Sequence, residues 1–214
     1  LSLTFGVMRI INFAHGAFFE LALYFTIIVA GLFSNANMAF WLALLLVPII
    51  IAAIGGITEV TFLHRTYFKD PLYQVLVTYG IAMIISEVVK IIWSSVVLAV
   101  PGPSLPIESV AIMGQKFPAY HLLVMVISGL IGLGLWFMLE KTSLGILVRA
   151  VINDREMSSA IGIRISRVAT GMFMLGIWLA ALGGVLMSPM IGITPGIGTS
   201  ILLNCFVVVI IGGM

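Results

Sequence analysis

AFWLALLLVPIIIAAIGGITEVTFL, residues 39–63, contains a single charged side chain, Glu59. As a helix rising 1.5 Å per residue, such a run outreaches the ~30 Å of hydrocarbon in a bilayer. The rest of the chain shares this character: of 214 residues, 62% are hydrophobic and 8% charged. Soluble domains carry roughly a quarter charged residues, so this sequence cannot clothe a core in a polar shell. The bilayer is its solvent.

Working outward from that run, apolar stretches mark five complete spans, Ala17–Phe33, Ala39–Leu63, Leu72–Leu98, Ala119–Leu139 and Val168–Met187. Partial spans are expected at the two ends. No series of ten-residue alternating segments appears, and lipid admits only helices or a closed barrel, so the helical reading wins. The expected fold is all-α, a polytopic transmembrane helical bundle. The chain opens Leu-Ser-Leu-Thr without a basic leader and closes on an apolar stretch, Ile201–Met214, too short to span. The expectation is a single transmembrane domain over residues 1–214, truncated at both ends.

Charge gives the orientation. Alternating spans place 64–71 and 140–167 on one side, with Arg65, Lys69, Lys141, Arg149, Arg155, Arg164 and Arg167. The opposite connections, 34–38, 99–118 and 188–200, hold Lys116 as their one basic residue. That asymmetry assigns the 140–167 loop to the cytoplasm. A net charge of +2 with no Lys/Arg tract gives no reason to expect nucleic acid. Cys205, the one cysteine, excludes a disulfide within the chain. Four prolines in 99–118 suit an extended excursion or lid. Pro189, Pro195 and several glycines break 188–200, either as a plain loop or as a re-entrant segment.

Residues 149–167, RAVINDREMSSAIGIRISR, gather six of the eighteen charged side chains. Asn153 reads as an N-cap, completed by Glu156 three residues later. Asp154 and Glu156 place negative charge in the first turn, where the helix dipole favours it. Gly162 reads as the stop. The predicted helix, Asp154 to Ile161, has an apolar stripe of Met157, Ala160 and Ile161. So short a helix is marginal alone, so lipid headgroups, this chain or another protein must pack on it; the competing reading is a bare cytoplasmic loop, which needs none of this organisation.

Elsewhere, Asn12, His15 and Gly16 interrupt the apolar flow. They read either as a cytoplasmic-side turn or as a broken-helix element beside a water-filled path. Glu87 and Lys90, at i, i+3, read as an ion pair or as Lys90 snorkelling outward, with a place on the translocation path as the lesser reading. Glu59 is expected to reach the headgroups or Arg65. Gly176, Ala180 and Gly184 form a small-residue stripe for close helix packing, and Gly129, Gly132 and Gly134 a weaker one. No HExxH, GxSxG, P-loop or metal-spaced His/Cys cluster occurs.

Three stretches carry a family resemblance. Glu156 to Gly162, EMSSAIG, resembles the E-A-A-x-x-x-G coupling loop of ABC importer permeases, with Met157 and Ser158 in place of the two alanines. The longer run LEKTSLGILVRAVINDREMSSAIGIRISRV is similar to the cytoplasmic loop of the H-type permeases of branched-chain amino-acid importers. GVMRIINFAHGAFFELALY and FVVVIIGGM resemble that family's I-N-F-A-H-G and V-V-V-x-G-G stretches, in the expected order. The residue after Gly16 is usually acidic in the family; here it is Ala17, with Glu20 one turn on.

The resemblance implies an inner-membrane, multi-pass permease subunit of an ATP-driven importer. It would move branched-chain or related hydrophobic amino acids by alternating access. Related permeases carry urea, amides or simple sugars. The chain would bind no cofactor itself; ATP and Mg would sit on two cytoplasmic ATPase subunits. Further partners would be a second permease subunit, usually a homologue, and an extracytoplasmic substrate-binding protein. ATPase coupling would fall to Arg149, Asp154, Arg155, Glu156, Met157, Ala160, Ile161 and Gly162, and the path to Asn12, His15, Gly16 and Glu87. An ion-coupled secondary transporter would instead need intramembrane acidic residues and inverted repeats. Only Glu87 offers the first, and no repeat is visible. An intramembrane enzyme lacks its catalytic constellation.

Overall fold

The computed structural model describes residues 12–66, 69–107, 109–112 and 115–212. The partial span expected at the amino terminus, residues 6–11 of the motif around Asn12, and the last two residues of FVVVIIGGM lie outside the described residues. Five helices are long and apolar enough to cross a membrane: α1 Ala14–Leu32, α2 Ala36–Thr58, α3 Pro71–Trp93, α4 Ala119–Lys141 and α7 Ile165–Met187. Shorter helices are α5 Ser143–Asn153, α6 Arg155–Ala160 and α8 Ile197–Gly212. The protein is a helical multi-pass bundle.

Local chemistry sets the helix ends. Asn35 Oδ1 accepts from the amides of Asn37 (3.0 Å) and Met38 (3.3 Å), capping α2. Asp70 does the same for Leu72 (2.9 Å), with Pro71 preset for the first turn of α3. α3 stops at Trp93, short of the expected Leu98, because Ser94 turns into a left-handed conformation (φ 60°). Leu98 then pairs backbone to backbone with Ile193, N···O 3.0 and 2.8 Å. Inside the spans, the hydroxyls of Thr26, Thr58 and Thr170 bond the carbonyls four residues back, so these three are satisfied within their own helices.

Three of the five spans make the packed centre. Phe18 of α1, Phe40, Val47 and Ile51 of α2, and Phe173, Ile177 and Val185 of α7 form one fully buried cluster. Small residues allow the approach. A Cβ on Gly55 would lie 2.9 Å from Ile177, and one on Gly184 2.9 Å from the Phe19 carbonyl. Gly176, Ala180 and Gly184 are all buried, as a packing stripe requires. The second stripe behaves differently: Gly129, Gly132 and Gly134 meet nothing within 4 Å, and α4 buries none of its residues.

Contacts define two ends. At the basic end, His64 Nδ1 lies 3.3 Å from Ser166 Oγ, and Gln74 donates to the Thr66 carbonyl. At the other, the Tyr120 hydroxyl donates to the Leu186 carbonyl at 2.6 Å, and its ring meets Phe40. Here a small antiparallel sheet, β1 Ser109–Ile112 and β2 Gln115–Pro118, occupies part of the proline-rich connection.

Of the two readings of Glu59, the headgroup one does not hold, because the side chain is fully buried. α2 continues there through a wider turn, Glu59–Leu63, which changes the direction of successive side chains.

Gly184→Leu is expected to force a side chain into the Phe19 carbonyl and cost about 1–3 kcal/mol, lowering the melting temperature of the detergent-solubilised chain. Gly129→Leu, with open space at its site, should not lower it.

Candidate functional site

Two regions contain the residues singled out from the sequence, and the fold keeps them apart. The first is the elbow joining α4 to α7. Thr142 accepts from the Gly145 amide and ends α4 while starting α5. Gly145 lies against the Leu139 carbonyl with no room for a Cβ. Arg149 donates to that same carbonyl and lies 3.8 Å from Glu140. Its guanidinium therefore serves the C-terminal end of α4, where a cation complements the helix dipole. α5 itself, eleven residues inside the predicted loop, was not anticipated. Val148 and Val151 bury against Ala169 and Met172 of α7, so the elbow is packed rather than loose.

α6 follows directly. Its N-cap is Asp154, not Asn153: Asn153 completes α5, while Asp154 is extended (φ −148°) and accepts from the Met157 amide at 2.9 Å. Glu156 remains in the first turn, beside the positive end of the dipole. The stop is as predicted. Gly162 has φ 88°, its amide bonds Ser159 O and the Ile163 amide bonds Ser158 O, both at 3.0 Å. That pairing is a Schellman cap, which favours glycine. Ser158 faces inward, whereas Met157 is 60% and Ile161 68% exposed, with Ala160 exposed between them. The predicted apolar stripe lies open to the outside of the chain. Of Arg155, the backbone begins α6 and its side chain lies outside the described residues.

The second region is the centre of the bundle. Asn12 Oδ1 accepts from the Ala14 amide (3.0 Å) and so starts α1. The next amide, Phe13, donates to Thr78 Oγ1 at 3.4 Å. Thr78 lies seven residues into α3, about 10 Å along it at 1.5 Å per residue. The start of α1 is thus enclosed by the bundle and does not lie at its surface. Asn12 and His15 are both buried. Asn12 Nδ2 and His15 Nδ1 have no partner among the described residues.

Gly16 meets Gly198 so closely that neither leaves room for a Cβ, which fixes the crossing of α1 and α8. The 188–196 connection accordingly enters the bundle instead of lying over it, with Ile193 sealed among Phe19, Tyr24 and Val89. Glu20 receives it: Oε1 accepts from the Gly196 amide (2.8 Å) and Oε2 from the Gly198 amide (3.2 Å). Ser86 of α3 adds a long contact at 3.5 Å. A fully buried carboxylate therefore satisfies the open N-terminus of α8 from a neighbouring helix. The sequence hinted at this only through an acidic residue in an otherwise uncharged span.

Beside Glu20 lies a cavity of about 240 Å³, lined on its polar side by Ser86, Glu87, Lys90 and Thr199. Ala17 and Glu20 both border it. Glu87 lines it too, while Asn12, His15 and Gly16 do not. Lys90 Nζ donates to Glu87 Oε1 at 2.6 Å. Among the described residues, no group of three His, Cys, Asp or Glu is placed to hold a metal ion.

Residues 1–214 match the family described as the permease component of branched-chain amino acid transport systems. The chain is 25% identical to the high-affinity branched-chain amino acid transport system permease protein BraD of Pseudomonas aeruginosa, over 100% of its own length and 72% of that protein's. It is similar at 24% and 25% identity to the permease proteins LivH of Salmonella typhimurium and Escherichia coli K12, again over all of this chain and 72% of theirs. No solved structure matches. An apolar helical bundle with this elbow, matched along its whole length, belongs to the branched-chain amino acid transport permease family.

Proposed function

We propose that this chain is the membrane subunit of an ATP-driven importer in the inner membrane, moving branched-chain or related apolar amino acids by alternating access. The observation that carries the reading is α6. It is capped at both ends, joined to packed helices on either side, and presents Met157 and Ile161 outward on the basic end of the bundle. Burying two such side chains contributes roughly 1.5–3 kcal/mol each, and a bare loop has no use for them. A groove on a cytoplasmic ATPase is the occupant that suits this handle.

In this reading two ATPase subunits carry ATP and Mg. Their closure presses on α6, and α5 and α7 deliver the motion to the spans. A second permease subunit covers the open faces of α3 and α4, and a binding protein delivers the amino acid from outside. The charged loop is where a soluble motor grips, and the work it transmits depends on a rigid grip.

In the reconstituted importer, Asp154→Ala removes a cap worth about 1 kcal/mol. Gly162→Val forces a β-branched residue into a left-handed turn at a cost of about 1–2 kcal/mol. Both are expected to leave insertion intact while uptake falls relative to ATP hydrolysis; normal coupled uptake by both would remove α6 from the mechanism. A second experiment addresses the contact itself. Met157→Asp combined with Ile161→Asp should prevent co-purification of the ATPase, which Ser159→Ala should retain.

A further inference from the structure

The Glu87–Lys90 pair poses a problem that the bundle alone does not solve. These side chains are 61% and 44% exposed, yet they lie 16 and 19 residues into α3, about 24 and 28 Å along a helix that spans the membrane. A charged side chain facing hydrocarbon is costly, most at the membrane centre and less toward the Trp93 end of α3, where these two lie. Pairing reduces that cost but leaves both heads open, so this face of α3 borders water or a polar solute. The cavity beside it supplies the space.

The lining narrows the kind of solute. Glu20 is fully buried and both its oxygens are occupied by the Gly196 and Gly198 amides, so it builds the wall and does not touch a guest. The accessible charges are then one carboxylate and one ammonium, side by side and together neutral. Such a pair attracts neither a free anion nor a free cation strongly. It is complementary to a molecule carrying both charges a few ångströms apart. The remaining wall is apolar, from Phe13, Tyr79 and Met83, with the Thr199 hydroxyl near the α8 start.

We propose that this cavity is a stopping point on the transport path for a zwitterionic α-amino acid. Its ammonium is taken by Glu87, its carboxylate by Lys90, and its aliphatic side chain lies against Phe13, Tyr79 and Met83. The proposal rests on the functional reading above and adds where, and by which charges, the solute is held. It also separates amino acids from urea, simple amides and sugars, which lack the two charges this pair would exchange for.

The test uses the complete reconstituted importer in a Cys205→Ser background, with Thr199→Cys as a reporter labelled by a water-soluble methanethiosulfonate. Saturating leucine is expected to slow labelling about tenfold, as occupancy of a single site would. Urea, isoamylamine (which lacks the carboxylate) and 4-methylpentanoate (which lacks the ammonium) should not. Glu87→Gln and Lys90→Met should each abolish the protection. Absence of protection in a complex that imports leucine overturns the site and leaves the transport function standing, and equal protection by urea or by either half-molecule does the same. A complete complex that imports no apolar amino acid overturns the functional reading and the site with it. The half-molecule comparison needs no variant of the charged pair, so a folding defect in those variants cannot mask the answer.

Discussion

Hydrocarbon offers no hydrogen-bond partner, so every interruption of a helix inside the membrane must be closed by the chain itself. This constraint organises the centre of the protein. α1 begins and α8 begins within the bundle, and each would expose unsatisfied amides there. Asn12 closes the first with its own side chain. Glu20 closes the second from across the helix interface, turning a charge that would be costly alone into the acceptor the break requires. The same logic explains why Leu98 and Ile193, both in irregular chain, pair their backbones where the connections leave and enter the bundle.

Packing then divides the molecule unevenly. Lipid and leucine side chains are about equally apolar, so helices associate here through close van der Waals fit. α1, α2 and α7 achieve it through Gly55 and Gly184, and α1 meets α8 through the mutual approach of Gly16 and Gly198. α4 buries none of its residues fully, and α3 leaves Leu76, Met83, Ile84 and Ile91 open. One side of the bundle is a finished core; the other is a surface suited to lipid, a second subunit or a path between them.

How much of this was legible in the sequence follows from range. Spans are sums over many residues, so apolar run length placed them within a few positions. The α6 stop was legible because Gly162 and its neighbours settle it locally. The start slipped by one residue because Asn153 and Asp154 are both good caps, and only the packing of α5 on α7 decides which of them ends the preceding helix. The entry of 188–196 into the bundle, the burial of Glu59 and the grip of Glu20 on Gly196 depend on partners far away in the chain. Local pattern does not contain them. Glu20 and Gly198 are joined only once α1, α3 and α8 are side by side.

α7 connects the two regions. Its first turns hold the elbow through Ala169 and Met172, its middle packs Phe173 and Ile177 into α1 and α2, and its last turns set Gly184 against Phe19. Phe19 directly precedes Glu20, whose carboxylate holds the start of α8. A displacement of α6 therefore has a continuous, closely packed route to the cavity, and close packing moves as blocks more readily than it stretches. The two amide hydrogen bonds to Glu20 join α1 to the start of α8 at the far end of that route, and a buried carboxylate that lost them would be left without partners that lipid cannot replace.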